Sequence, residues 1–462
     1  MALRIQRNKR NCFALAHPLA QKENFFPFFE FFERQKKLLE KQKTYNKMTL
    51  FTNIGALVGI DESTMDRRQG TEMNSLGILH DAWLLVDGER IVDYGEMSSL
   101  EKNADMSDTQ ITDVHGGWIF PSFCDSHTHI VYAGNRATEW LDKINGLSYE
   151  EIGRRGGGIL NSADLLHNTT EEELYNQAMT RVNEMICKGT GAIEIKSGYG
   201  LNTEDELKML RVIRRIKQTT KAEIKSTFLG AHAVGRKYAG RQSEYVDLVC
   251  NEMIPEVGRQ QLADYVDVFC DKGYFTPEET ERILEAAEKY GLVPKIHANE
   301  LAVSGGVQVG VKHNALSVDH LENTTSVEFN ALKGTRTMPT LLPGCSFFSN
   351  LPYADAKTMI AMGLGIALAS DYNPGSSPSG DMRFVASLAC IQMRLTPRQA
   401  LNATTINGAY AMGLSSTIGT ITRGKLANFY ITAPLPSLEF YLYAHHTPLI
   451  RDVYLKGAKY ES

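Results

Sequence analysis

The chain has 462 residues, 43% hydrophobic and 22% charged, with a formal net charge of -5. That length exceeds one ordinary domain and implies a large barrel with an appendage or two to three domains, while the charge gives no electrostatic case for a nucleic-acid partner. Seven cysteines (12, 124, 187, 250, 270, 345 and 390) lie scattered without a CxxC, which argues against a disulfide framework and fits a reducing cytoplasm; no apolar run approaches the ~20 residues that cross a bilayer, so no membrane partner is expected.

Residues 1–47 differ from the rest. They carry 11 Lys+Arg against 4 Asp+Glu, or +7, which leaves -12 for the remainder. "FFPFFEFFERQKKLLEKQK" is aromatic and then charged, and a second methionine, Met48, opens an ordinary strand-like run. The reading favours a dispensable N-terminal extension, disordered or missing from the mature protein, over an amphipathic appendage or a targeting peptide. The basic start is not followed by the apolar stretch of a secretory signal.

From Met48 to Gly117, "LFTNIGALVGI", "DAWLLVDGERIVDYGE" and "ITDVHGGWIFP" read as short strands and turns, with "VDGER" suited to a hairpin. Beyond them, apolar runs alternate with amphipathic segments such as "EEELYNQAMTRVNEMICKG", "EDELKMLRVIRRIKQ" and "PEETERILEAAEKYG". Such alternation means a parallel sheet. The strands read as "IFPSFCDSH", "AIEIKSG", "EIKSTFLGAH", "VDVFCD", "VPKIHA", "LSVDH", "RTMPTLLP" and "IALASD". Eight is the number that closes a (β/α)8 TIM barrel, whose chemistry sits at the C-terminal ends of the strands. The expected architecture is an α/β chain. A barrel over 118–415 is flanked by a small β-sandwich domain built from both chain ends, 48–117 and 416–462, with "GTITRGKLANFYI" returning as strands.

Polar residues fall at those strand ends: His127 and His129, Ser197 and Tyr199, His232, Asp271, His297, His320 and Asp371, with strand 7 ending instead in "LLPG". Each histidine alone is more often a satisfied core or loop residue, and an aspartate after a strand is usually a helix cap. Four histidine-bearing ends followed in series by an aspartate are hard to obtain from packing. Alternate residues of a strand share a side, so His127 and His129 can converge on one ion. Nitrogen and oxygen donors without cysteine suit Zn2+ or Fe2+. His127, His129, a third histidine and Asp371 would leave a position for water, which a metal activates for hydrolysis at a carbon centre. His232 and His297 both remain open as the third ligand. Glu300, three residues after His297, is within reach of that water as a general base; as a structural residue it is the acidic start of a helix.

The motifs "DSHTHIVYAGNR", "SYEEIGRRGGGIL", "EIKSGYGL", "TFLGAHAV", "KIHANEL", "VDHLE", "LLPGCSFF" and "ASDYNPGSSP" resemble the amidohydrolase superfamily and, more closely, its imidazolonepropionase family, from about Met48 to the C-terminus. The resemblance implies hydrolysis of the ring amide of 4-imidazolone-5-propanoate to N-formimidoyl-L-glutamate in histidine degradation, in a cytoplasmic homodimer. It implies metal ligands at His127, His129, His297 and Asp371, catalytic roles for Glu300, His320 and Asp371, and substrate contact by His232 and Glu300. A propanoate tail needs a cation, and Arg136 lies just past the first strand, where its guanidinium can grip a carboxylate bidentately. Tyr149, Tyr199, Asn373, Gly375 and Ser376 follow from the same resemblance as substrate contacts; their local readings are a core aromatic for Tyr149 and turn residues for the "NPGS" group. Two positions depart from the family pattern, Asn299 where an acidic residue is expected and Gly235 where a proline is usual. Lys272 is the nearest candidate for a carbamylated bridge but is not obviously placed for one, so one metal is expected. The competing readings are a deaminase of guanine or cytosine, disfavoured by Arg136 and the tyrosines, and a non-catalytic barrel, disfavoured by the complete ligand set.

Overall fold

The computed structural model describes residues 48–100, 109–147, 151 and 155–461. The 1–47 extension and Tyr149 lie outside the described residues.

The N-terminal strands are β1 (Thr49–Ile60), β2 (Gly77–Asp87), β3 (Arg90–Glu96), β4 (Gln110–Asp113) and β5 (Trp118–Pro121). Asp87 pairs with Arg90 across a two-residue turn in which Gly88 takes φ +54°, the left-handed geometry that tight hairpins use. The C-terminal strands β14 (Phe429–Thr432), β15 (Ile450–Leu455) and β16 (Ala458–Lys459) join the same sheet. Its order is β16-β15-β14-β5-β1-β2-β3, with β4 paired to β1. Phe51, Phe429 and Tyr454 pack ring against ring in its core, at centroid separations of 5.0 to 5.2 Å.

The second sheet consists of β6 (Phe123–Thr128), β7 (Thr190–Lys196), β8 (Glu223–Ala231), β9 (Tyr265–Cys270), β10 (Val293–Ala298), β11 (Ser317–His320), β12 (Met338–Leu341) and β13 (Ala367–Leu368), in chain order and parallel throughout. Beyond β13 the ring closes onto β6: Asp371 N donates to His127 O at 3.0 Å, and His129 N donates to Tyr372 O at 2.9 Å. The eight-stranded barrel read from the sequence is thus present, and its seam joins two histidine positions to Asp371. Helices Glu171–Cys187 and Pro277–Glu288 start at capping boxes, Thr170 with Glu173 and Thr276 with Glu279, which satisfy N–H groups that no helical carbonyl can reach.

One expected strand, "IFPSFCDSH", proves to be two. Ile119, Phe120 and Pro121 pair with β14 in the first sheet, Ser122 N still donates to Asn428 O at 3.0 Å, and one residue later Phe123 N turns to Gly189 O at 2.9 Å in the barrel.

The barrel interior is ionic. Lys196, 0% exposed, contacts Glu194 Oε1 at 2.7 Å and Asp267 Oδ2 at 2.8 Å, and lies 3.6 Å from Asp319 Oδ2. Lys295, equally buried, pairs with the other oxygen of Glu194 and donates to Ser126 O at 2.9 Å. Buried charges are tolerated only when paired and hydrogen-bonded, and each ammonium here meets carboxylates. This layer lies against the histidine cluster.

Candidate metal centre and active site

His127 and His129 stand at the end of β6 and just past it, His297 in β10, His320 at the end of β11, and Asp371 beyond β13. All are 3% exposed or less. Nε2 of His127 and Nε2 of His129 are 3.3 Å apart, and Asp371 Oδ1 lies 3.7 Å from the first and 3.5 Å from the second. One ligand atom from each of His127, His129 and His297 falls within a 4.8 Å span, and the same holds for His127, His320 and Asp371. His127 belongs to both groups.

Carboxylates orient two of these rings. His127 Nδ1 is 2.6 Å from Asp319 Oδ2, so Nδ1–H donates and Nε2 keeps its lone pair. His297 Nδ1 is 2.8 Å from Asp267 Oδ2, and Asp267 Oδ1 accepts from His297 N at 3.0 Å. Lys196 touches Asp267 and approaches Asp319, tying both orienting carboxylates to one cation. Burial and the neighbouring Lys196 ammonium and imidazoles push His127 and His129 well below the usual imidazole pKa, so both rings are neutral. The two Nε2 atoms stand 3.3 Å apart, and nitrogens bound to one ion at about 2.0–2.1 Å stand about 3.3 Å apart in a tetrahedron. The donor set fits a divalent cation. Lys272 is exposed, whereas these groups are buried.

Asp371 and His320 hold left-handed backbone, φ +53° and +83°, conformations that side-chain-bearing residues adopt at some cost and that cluster at functional sites. His320 Nε2 is 3.6 Å from Glu300 Oε2 and its Nδ1 is 3.5 Å from Glu322 Oε2. Burial opposes charge on His320, but the two carboxylates outweigh it and hold the imidazole well above its ordinary pKa. Burial lifts Glu300 to about 7 and also raises Asp371.

A cavity of about 470 Å³ opens onto this cluster, lined by His129, His232, His297, Glu300, His320 and Asp371 at one end and by Arg136, Lys143 and Phe348 elsewhere on its wall, with Tyr199, Asn373 and Ser376 also facing it. His232 stacks on His129 at 5.2 Å between ring centroids, and its Nδ1–H donates to Gly198 O at 3.0 Å, which leaves Nε2 without that proton. Arg136 is 6% exposed and donates Nε–H to Ser162 Oγ at 2.9 Å; its Nη2 is buried with no hydrogen-bond partner. Tyr199 lies beneath the guanidinium, 5.6 Å from centroid to Cζ.

Of the "NPGS" residues, Asn373 and Ser376 line the cavity, and Gly375 stands against Arg136. Asn373 accepts from Gly375 N at 2.7 Å and Ser376 N at 2.8 Å and donates to Asp371 O at 2.7 Å, a turn reading in full. Ser376 Oγ donates to Asp371 Oδ2 at 3.3 Å. A Cβ on Gly375 would stand 2.2 Å from Arg136 Nη1, so this position leaves room for the guanidinium. The two departures from the family pattern have local causes. Asn299 takes φ +59°, which asparagine tolerates, and accepts from Ser304 N at 3.1 Å; a Cβ on Gly235 would meet Leu201 O at 2.5 Å. Asp271 anchors the loop after β10 by accepting from Leu301 N and Ala302 N, 2.9 and 3.1 Å.

Sequence reasoning missed Asp267, Asp319, Lys196 and Lys143. The charges at alternate positions of "AIEIK", in a strand buried on both faces, were the available signal for the ionic layer. Lys143 Nζ donates to Gly375 O at 2.9 Å and lies 5.2 Å from the Phe348 ring centroid.

Residues 118–457 match the Amidohydrolase family. An imidazolonepropionase of Christiangramia forsetii is 52% identical over 408 residues, covering 88% of this chain and 98% of the relative; one of Flavobacterium psychrophilum is 51% identical over 88% and 99%. Among solved structures, the zinc complex of Arthrobacter aurescens atrazine chlorohydrolase superposes with a TM-score of 0.65 at 14% identity over 89% of this chain and 94% of that one. Escherichia coli guanine deaminase does so with 0.64 at 15%, over 90% and 99%. Those two likenesses establish the fold.

Proposed function

We infer, from the premise that the chain belongs to the amidohydrolase family and within it to the imidazolonepropionases, that it hydrolyses the ring amide of 4-imidazolone-5-propanoate to N-formimidoyl-L-glutamate in histidine degradation. The observation that carries the reading is one cavity with two chemistries: a neutral-imidazole and carboxylate centre, and Arg136 with a buried, unpartnered Nη2. The first suits a divalent metal and the second a carboxylate tail.

His127, His129, His297 and Asp371 hold one ion, Zn2+ or Fe2+. When bound, it lowers the pKa of water towards neutrality and polarises the ring carbonyl. Arg136 takes the propanoate carboxylate in charge-assisted hydrogen bonds, with Tyr199 beside it, Lys143 as a second cation, and Gly375 leaving the space; Tyr149 is proposed as a further substrate contact on the family resemblance alone. His232, whose Nδ1–H is spent on Gly198 O, presents Nε2 to the ring, and Asn373 and Ser376 complete the polar wall. Glu300, held near neutrality by burial, accepts a proton from the attacking water as its oxygen bonds to the carbonyl carbon. His320, kept protonated by Glu300 and Glu322, donates a hydrogen bond to the oxyanion. As the C–N bond breaks, Glu300 or Asp371 delivers a proton to the departing nitrogen, leaving a new carboxylate on carbon. A homodimer working in the cytoplasm completes the reading; among the described residues no helix is long and apolar enough to cross a membrane.

The test is substrate choice. The purified enzyme is given enzymatically generated 4-imidazolone-5-propanoate, guanine and cytosine in parallel. Ultraviolet loss of the imidazolone with formimidoylglutamate appearing is the expected result, and turnover of a nucleobase in its place would transfer the site to a deaminase.

A further inference from the structure

A second group of metal-ligating atoms adjoins the histidine–aspartate centre. Glu300, His320 and Cys345 each present one such atom within a span of 4.8 Å. His320 Nε2 is 3.6 Å from Glu300 Oε2, and Cys345 Sγ is 3.8 Å from Glu300 Oε1. Bonds of about 2.0–2.2 Å to nitrogen or oxygen and about 2.3 Å to sulfur give a tetrahedron with edges of about 3.3–3.7 Å. These two separations, one to each oxygen of Glu300, are comparable to those edges, and one ligand atom of each residue lies within 4.8 Å of the other two. Each ligand sits on or beside a regular element: His320 ends β11, Glu300 follows β10, and Cys345 is in the first turn of the helix Pro343–Ser349. Glu300 and His320 also face the cavity, which supplies an entry path and room for a water as fourth ligand.

The sulfur sets this group apart from the all-nitrogen-and-oxygen centre beside it, because thiolates select soft cations. We propose that Glu300, His320 and Cys345 form a second, inhibitory site for a soft divalent cation of the Zn2+ or Cd2+ class. The inference rests on the reading in which Glu300 accepts the water proton and His320 holds the oxyanion. On binding, the Cys345 thiol and His320 Nε2–H each release a proton to solvent, and sulfur, nitrogen and a carboxylate oxygen bond the cation. The thiolate and carboxylate together balance its two positive charges in a buried place, where unbalanced charge is costly. Glu300 then shares its charge with the cation and is a far weaker base for the water proton, and His320 has no Nε2–H for the oxyanion. Excess metal therefore stops turnover while the first centre stays filled.

The test uses holoenzyme carrying one equivalent of metal, titrated with buffered CdCl2 and ZnCl2. Three quantities are followed: hydrolysis of 4-imidazolone-5-propanoate, bound metal by equilibrium dialysis, and the ultraviolet thiolate-to-cadmium charge-transfer band. Wild type should take up a second equivalent, develop the band and lose activity in step. Cys345→Ser should keep its uninhibited rate, show no band, and need at least about tenfold more cation for the same inhibition; Cys345→Ala repeats the comparison without the hydroxyl. Inhibition of either variant at the wild-type cation concentration, or failure of wild type to bind a second equivalent, would overturn the proposal. If the second equivalent and the band appear but holoenzyme turns over no imidazolone, the hydrolase reading fails and the site stands.

Discussion

Gly375→Ala is a one-carbon change with a defined target. The backbone at Gly375 does not take a left-handed φ, so alanine brings no backbone strain there; its Cβ, however, would lie 2.2 Å from Arg136 Nη1 and 3.1 Å from Cζ. Carbon contacts settle near 3.5 Å, so the guanidinium must retreat by about 1 Å, while its Nε–H remains tied to Ser162 Oγ at 2.9 Å. A hydrogen bond to a charged group contributes about 1.5–3 kcal/mol, which converts to about 10- to 150-fold in kcat/KM, expressed mainly in KM. Initial rates over a range of 4-imidazolone-5-propanoate concentrations, for wild type, Gly375→Ala, Arg136→Gln and the double variant, give a complete cycle. The double variant should be no worse than Arg136→Gln alone, since both changes remove the same contact, and melting temperatures should stay close to wild type. A normal KM for Gly375→Ala, or independent addition of the two effects, would refute the assignment of Arg136 to the carboxylate.

Glu300→Gln removes the proton acceptor and should lower kcat by about 10²- to 10⁴-fold with bound metal unchanged by elemental analysis; metal loss would make Glu300 a ligand instead. Asp319→Asn weakens the bond that fixes the His127 tautomer, and metal affinity measured against a competing chelator should fall about 10- to 100-fold. Lys196→Met leaves Asp267 without its ammonium and Glu194 with Lys295 alone, so urea unfolding should report a loss of about 3–5 kcal/mol. A loss under about 1 kcal/mol would mean that the ionic layer does not depend on that ammonium.

The barrel was legible because its eight strands are apolar runs of buried parallel type, and "VPKIHA" became β10 residue for residue. The boundary at Pro121 was not, since the two sheets meet there through tertiary pairing that "IFPSFCDSH" does not encode locally. His127, His129, His297, His320 and Asp371 could be picked out because strand ends collect at one face of a barrel. Their separations came only from the seam that joins Asp371 N to His127 O. The orienting layer escaped notice for a physical reason: Asp267 and Asp319 sit inside strands, and a charged residue there reads as an edge or exposed position unless a buried lysine from another strand is known to meet it. Glycine at 375 looked like a turn residue, and only the position of Arg136 reveals the space that it keeps open.

The most direct test of the account is hydrolysis of enzymatically generated 4-imidazolone-5-propanoate by wild type and His297→Ala, with bound metal quantified in both. Ultraviolet loss of the substrate and appearance of N-formimidoyl-L-glutamate with wild type alone, together with metal depleted in the variant, is the predicted result. A metal-loaded wild type that leaves the imidazolone intact would contradict the substrate assignment, and a fully metallated His297→Ala would contradict the ligand set.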